Sequence, residues 1–369
     1  MKTDVCEMLQ IDIPVFAFSH CRDVVVQVSK SGGFGVLGAA GFTPERLEEE
    51  LNWIDSHIGD YQYGIDFLIP AKRIEDNDTE KLKAMIPNTH REFVTDLLSK
   101  SDAPELPTDY QGHLASAEDG ATIGDRPFEM LRTTLENHDK ISLYVNALGT
   151  PPPEVINLCR KHNLLIAAMA GEAKHAARHK AAGCDIVIAV GAEAAGHTGD
   201  ISTLVLTPQI VKEVSPMPVL AGGGIGSGEQ IAAAIALGAQ GVWAGSIWLP
   251  TIQSELTPIQ RNKILASSSK DTIRTRCMTG KPVRMLKSGF TEAWEADGAP
   301  SPLPYPLQYL LTSDAAARFE HYSIEHMVSY PAGQVIGQLR DELSVRQVVM
   351  QLMEEYIDAV ERLSATLDY

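Results

Sequence analysis

One histidine and two glycine turns carry the chemistry this sequence can do. His197 lies in Gly191-Ala192-Glu193-Ala194-Ala195-Gly196-His197-Thr198-Gly199, directly after an apolar run. An imidazole, with a reference pKa of about 6.5, gives or takes a proton near neutrality. Gly222, Gly223 and Gly224 end a second apolar run and open into a helix. Bare backbone N–H groups there can approach an anion, and a helix dipole adds favourable potential. Gly245 and Ser246 end the next apolar run, one helix later. Successive glycine turns beside a titratable ring predict a phosphate cradle with an acid–base group next to it.

Other residues are weaker candidates. His175 and His179 stand four apart on one predicted helix, the spacing of a metal pair. Lys174, Arg178 and Lys180 surround them, which disfavours a cation, so a solvated basic face is expected and no metal site. His20 follows the first apolar run and can reach the same region, although turn structure explains it as well. Gly33-Phe34-Gly35-Val36-Leu37-Gly38 spells GxGxxG, but it leads from a helix into a strand, the reverse of the dinucleotide fingerprint. There is no GxxxxGK[ST] loop and no GxSxG elbow.

Positioning these residues requires a particular scaffold. Eight apolar runs, at 14–18, 34–37, 63–68, 141–145, 164–169, 186–190, 218–221 and 241–244, are rich in Val, Ile, Leu and Phe on both faces. Parallel strands buried on both sides have that composition. Helical stretches at 23–31, 43–57, 152–162, 172–182, 208–214 and 228–237 separate most of them. The fold class is therefore α/β, a (β/α)8 TIM barrel spanning 1–69 and 141–249. His197 then falls at the C-terminal end of the sixth strand. The glycine turns follow strands seven and eight, whose loops commonly hold phosphate. Residues 70–140 form a long insertion after strand 3, with helical material at 79–86 and 89–100 and a Pro/Gly/Asp-rich stretch around 101–124. A lid or pocket wall and a surface decoration are equal readings of it. Residues 250–369 form a mostly helical C-terminal extension packed on the barrel. Its last helix opens with Ser344 and Gln347 as a capping box. The stripe Val345, Val348, Val349, Leu352, Met353, Tyr356, Ile357 and Val360 reads as core, with an oligomer contact as the second reading.

Bulk properties narrow the partners. With 369 residues and 44% apolar content, the chain can bury a sizeable core. A formal net charge of -17 disfavours nucleic acid and anionic membrane surfaces. The five cysteines are scattered, odd in number and without a CxxC pair, which argues against a disulfide framework. The N-terminus lacks a signal-peptide apolar region, and no run is long enough to span a membrane, so a cytoplasmic location is expected.

These segments resemble the nitronate monooxygenase family, also known as 2-nitropropane dioxygenase-like flavoproteins. Ile13-Pro14-Val15-Phe16-Ala17, Gly32-Gly33-Phe34-Gly35 and Gly64-Ile65-Asp66-Phe67-Leu68 carry the first part of the resemblance. The histidine loop, the two glycine turns and Thr279-Gly280-Lys281-Pro282-Val283-Arg284-Met285-Leu286 carry the rest. The resemblance implies an FMN cofactor on a (β/α)8 barrel and His197 as the catalytic residue. It places Gly196 against the flavin, and Gly222, Gly223, Gly224, Gly245 and Ser246 around its phosphate. Ala17, Phe18 and Asp66 would complete the cofactor site. The chain departs from the family where Ala17-Phe18-Ser19-His20 replaces a usual proline–methionine pair. Asp66 stands for a usual asparagine, and Ala195 and Thr198 alter the common AGGHRG motif. These departures touch the pocket lining more than the phosphate grip.

The activity implied is oxidation of alkyl nitronates with O2. His197 would act as a base on a nitroalkane or, protonated, as a partner for the nitronate. An NAD(P)H-dependent flavin, quinone or enoyl-thioester reductase on the same barrel is the alternative. A non-catalytic FMN-binding barrel is a third reading. An inosine-monophosphate-dehydrogenase-like barrel would need a cysteine in the 191–202 loop, which has none.

Overall fold

The computed structural model describes residues 2–69, 79–108, 110 and 126–367. The strands are β1 (Val15–Ser19), β2 (Phe34–Gly38), β3 (Tyr63–Phe67), β4 (Ile141–Asn146), β5 (Leu165–Ala170), β6 (Ile186–Val190), β7 (Gly196–His197), β8 (Val219–Gly222), β9 (Gly241–Ala244), β10 (Thr272–Thr275) and β11 (Val283–Leu286). Eight of them close a parallel barrel in the order β1-β2-β3-β4-β5-β6-β8-β9. Pairing of Val15 with Val242 and Ala17 with Ala244 seals the β1–β9 seam. The barrel expected from the sequence is thus present, strand for strand.

Alternation along each strand sorts the side chains into two shells. Phe16, Phe34, Leu143, Ile188, Leu220 and Trp243 fill the interior, and the helix Asp4–Leu9 adds Val5 and Leu9 to that cluster. Thr3 of that helix's N-cap bonds the carbonyl of Gln240, just before β9, so the helix plugs the N-terminal end of the barrel. Burying each such Leu, Ile or Phe stabilises by about 1.5–3 kcal/mol. The floor is therefore closed, and the C-terminal ends of the strands are left for ligands.

Three elements differ from the sequence reading. The helix Arg126–Asn137 lies within the stretch assigned to the insertion, yet Met130, Leu131 and Leu135 pack into the outer barrel core as a crossover helix between β3 and β4. The helix expected at 208–214 begins at Thr203 and carries Pro208 inside it. Proline at a first helical turn is the common case. Here the Glu193 carboxylate accepts from the Thr203 amide at 2.9 Å and fixes the earlier start. The His197 loop is also more ordered than a glycine loop: β7 joins β10 and β11 in a three-stranded antiparallel sheet.

The insertion and the extension share a core. Val94 of the helix Asn88–Lys100 is buried with Cys277, Phe290, Trp294 and Phe319. The stretch around 101–124 falls largely outside the described residues. The last helix, Val345–Ala365, has the expected capping box, with Ser344 accepting from the Gln347 amide. Val345, Val349 and Leu352 are buried as expected from the stripe, whereas Ile357 and Val360 are exposed. Among the described residues no helix is long and apolar enough to cross a membrane.

Candidate active site

The two glycine turns leave adjacent strands, because Gly222 of β8 is in register with Trp243 of β9. Gly223 and Gly224 have φ of +102° and +72°, a conformation that side chains rarely adopt. A Cβ on Gly223 would also lie 2.9 Å from Thr203 Oγ1 and 3.1 Å from the Gly191 carbonyl. The backbone N–H groups of Gly223, Gly224, Gly245 and Ser246 donate to no other group among the described residues. Four unpaired amides on neighbouring loops make an anion cradle.

The helix dipoles behave differently from expectation. The helix Gly228–Ala236 after the first glycine turn has its Gly228 amide taken by Glu355 of the last helix, at 2.8 Å. The start of the helix Thr203–Val214 is taken by Glu193. Both N-termini already face carboxylates, which leaves the loop amides as the groups free to meet an anion.

Ser246 is buried, and its Oγ accepts from the Gly333 amide at 2.9 Å. The Gln334 amide bonds the Glu193 carbonyl at 2.9 Å. The segment at 333–334 therefore ties the Gly245-Ser246 turn to the histidine loop. Nothing in the local sequence marks Gly333 or Glu355 as part of the site, because both act across the fold.

His197 pairs with Val283 of β11, and its ring is exposed. Its Nε2 shares a hydrogen bond with Thr279 Oγ1 at 2.9 Å, and among the described residues Nδ1 has no partner. Partial desolvation of the ring lowers its pKa, and the Lys281 ammonium lowers it further. Both effects favour the neutral imidazole. Lys281 itself lies 4.6 Å over the Tyr305 ring. Arg284 holds the same loop through the Ala192 carbonyl at 2.9 Å. Gly196, with φ of +72°, precedes the histidine on β7. The sequence reading missed Thr279 as the histidine's partner. Its segment was recognised, but the antiparallel pairing that delivers it was not.

The remaining candidates line the barrel mouth unequally. Phe18 is half-buried, 5.9 Å from Trp243 and 5.2 Å from the His20 ring, centroid to centroid. It also comes within 3.8 Å of where a Gly245 Cβ would stand. Ala17 packs instead between the barrel and its outer helices, with Val24 and Val242, so only its backbone can meet a ligand. His20 donates from Nδ1 to the Gly38 carbonyl at 2.8 Å, and burial lowers its pKa. Asp66 is buried, and among the described residues its Oδ1 has no hydrogen-bond partner.

His179 is explained by structure. One ring nitrogen engages the Met169 carbonyl at 3.0 Å and the other Thr150 Oγ1 at 2.9 Å. Among the described residues no group of three His, Cys, Asp or Glu side chains is placed to hold a metal. All five cysteines are buried and free, and burial pushes the Cys21, Cys159, Cys184 and Cys277 thiols up to about 12. None of those four is a thiolate nucleophile near neutrality.

Fold and geometry together define a parallel (β/α)8 barrel with unpaired loop amides and a histidine at the C-terminal ends of its strands. The model of the family described as nitronate monooxygenase matches residues 7–355, and the chain belongs to that family of flavin-dependent oxidoreductases. It is 46% identical, over 98% of each chain, to the Mycobacterium tuberculosis protein named "Putative monooxygenase Rv1533". Its fold is similar to that of a nitroalkane oxidase from Streptomyces ansochromogenes, with a TM-score of 0.80 and 24% identity over 97% of this chain and 99% of the other. FabK from Thermotoga maritima is similar over 100% of both chains, with a TM-score of 0.76 and 22% identity.

The residues present fit a phosphorylated flavin. The amide cradle suits its phosphate, and the orphaned Asp66 oxygen lies at the open end of the barrel.

Proposed function

We propose that the chain is an FMN-dependent oxidoreductase that oxidises alkyl nitronates with dioxygen. Bound FMN would supply the two-electron oxidation and hand electrons to dioxygen. Gly223, Gly224, Gly245 and Ser246 would hold the phosphate through backbone amides. Phe18 and the backbone of Ala17 would line the ring site, and Gly196 would let the histidine loop pass close to it.

The observation that carries the substrate reading is an imidazole anchored by Thr279 within the electrostatic reach of the Lys281 ammonium. Lys281 lowers the pKa of His197, and the same positive charge attracts an anion of nitronate type. Thr279 holds Nε2 and leaves Nδ1 to face the substrate, as a base toward a nitroalkane carbon acid or as a hydrogen-bonding group toward a nitro oxygen.

Anaerobic stopped-flow bleaching of the flavin, with ethylnitronate against NADH, tests this assignment. Rapid bleaching by ethylnitronate is expected. Rapid reduction by NADH without nitronate turnover would replace the proposal with an NAD(P)H-dependent flavin, quinone or enoyl-thioester reductase. FMN binding with no turnover by either donor would leave a non-catalytic barrel.

A further inference from the structure

Among the described residues two carboxyl side chains are buried, Glu50 and Asp66. Glu50 is paired with Arg22 and Arg46. Asp66 has no cation beside it among the described residues. It is 3% exposed, and its Oδ1 is buried without a partner among them. Tyr63, Ile65 and Phe67 of β3 belong to the cluster beneath the outer helices, so Gly64 and Asp66, alternate to them, face the interior. Asp66 is the inward residue nearer the open end.

Among the described residues, the elements packed against β3 offer an anion there no cation, and only one backbone amide, that of Ala147. From the β2 side come Gly38 and, bonded to its carbonyl, His20, which burial keeps neutral. From β4 come Val145 and Tyr144. Burial pushes the Tyr144 phenol well up, and its hydroxyl donates to Asn146 Oδ1 at 3.0 Å. Asn146 spends its own amide on the Leu148 and Gly149 carbonyls. Burial raises the Asp66 pKa well above the carboxylate range, and only the Ala147 backbone amide works the other way.

We propose that Asp66 serves as a neutral acid, presenting a protonated carboxyl to the uncharged ring system of the ligand, so that ligand binding requires this group to keep its proton. The idea rests on the FMN reading above. It adds a pH dependence that an asparagine at this position could not give. An amide is neutral throughout, whereas Asp66 becomes an unpaired buried anion once it ionises.

The test has two arms, FMN titration of apo-protein by fluorescence quenching and the thermal midpoint of apo-protein, each followed with rising pH. The variants are Asp66→Asn, which keeps a neutral donor, and Asp66→Leu, which has none. Wild-type affinity is expected to hold at low pH and then weaken by up to about tenfold per unit above the Asp66 value. Asp66→Asn should bind with a flat profile, and Asp66→Leu about tenfold more weakly at every pH. For stability, the unfolded chain releases this proton first, because the folded pKa is the raised one. The contribution is therefore complete below about pH 4 and is lost as pH rises through the folded value.

Asp66→Asn should escape that loss, so its midpoint curve should part from that of wild type. Superimposable midpoint curves would overturn the proposal, as would equal pH dependence of FMN binding in wild type and Asp66→Asn. Wild-type protein that ignores FMN at every pH, with midpoint curves that still diverge, would support the neutral acid and overturn the flavin reading alone.

Discussion

On the proposed reading, His197 and Lys281 would act as a pair with separable effects. Replacing His197 by Ala removes an exposed ring, so folding and FMN content should be unchanged while kcat on nitronate falls by about 10²–10⁴. Absorption spectra of the purified variant check the first part and steady-state rates the second. Lys281→Met should raise KM for an anionic substrate on the order of fivefold. It should also let the His197 pKa rise, since only ring desolvation would then hold it down. If the neutral ring is the active form, the acid limb of the pH–rate profile moves to higher pH in this variant. An unmoved limb would show that Lys281 does not set the histidine's charge. His197 was legible in the sequence because glycines bracket it after a strand. Thr279 was not assigned, because the bond that joins them crosses 82 residues.

The segment 333–334 is the element that joins the phosphate turn to the histidine loop. A Cβ on Gly333 would stand 2.8 Å from the Glu193 carbonyl and 3.1 Å from Ser246 Oγ. Gly333→Ala should therefore destabilise by about 1–3 kcal/mol, and it should weaken FMN binding because Ser246 loses its amide partner. Ser344→Ala is the comparison. Loss of that cap should cost about 1 kcal/mol, with FMN affinity unchanged because the cap lies away from both loops. Equal losses of affinity in the two variants would reduce segment 333–334 to general scaffolding. At this scale the barrel strands were readable, since residues buried on both faces leave continuous apolar runs. The antiparallel pairing of β7 with β11 was hidden, because a two-residue strand has no periodicity. The early start of the helix at Thr203 was hidden as well, because a distant carboxylate sets it.

Across the whole molecule, a cluster between the helix Pro44–His57 and the end of the helix Arg126–Asn137 should carry its own pH dependence. His138 is buried between Asp55, at 2.6 Å from Nδ1, and Glu48, at 3.2 Å from Nε2. Burial alone would lower its pKa, but the two carboxylates outweigh burial and raise it. Stability from this cluster is complete below the unfolded value of about 6.5 and is lost as pH rises through the folded value. The thermal midpoint of wild type should fall more steeply above neutrality than that of His138→Gln. Parallel curves would mean the cluster is not charged in the folded state.

The bond from the Gly333 amide to Ser246 reaches over 87 residues. A nascent chain on the ribosome can therefore have every barrel strand in hand, through Ala244, and still lack the amide that braces Ser246. On the FMN reading, tight cofactor capture would then be a late event in the biogenesis of this protein, and a chain interrupted between the last barrel strand and Gly333 would hold the ligand with an unbraced Ser246 turn.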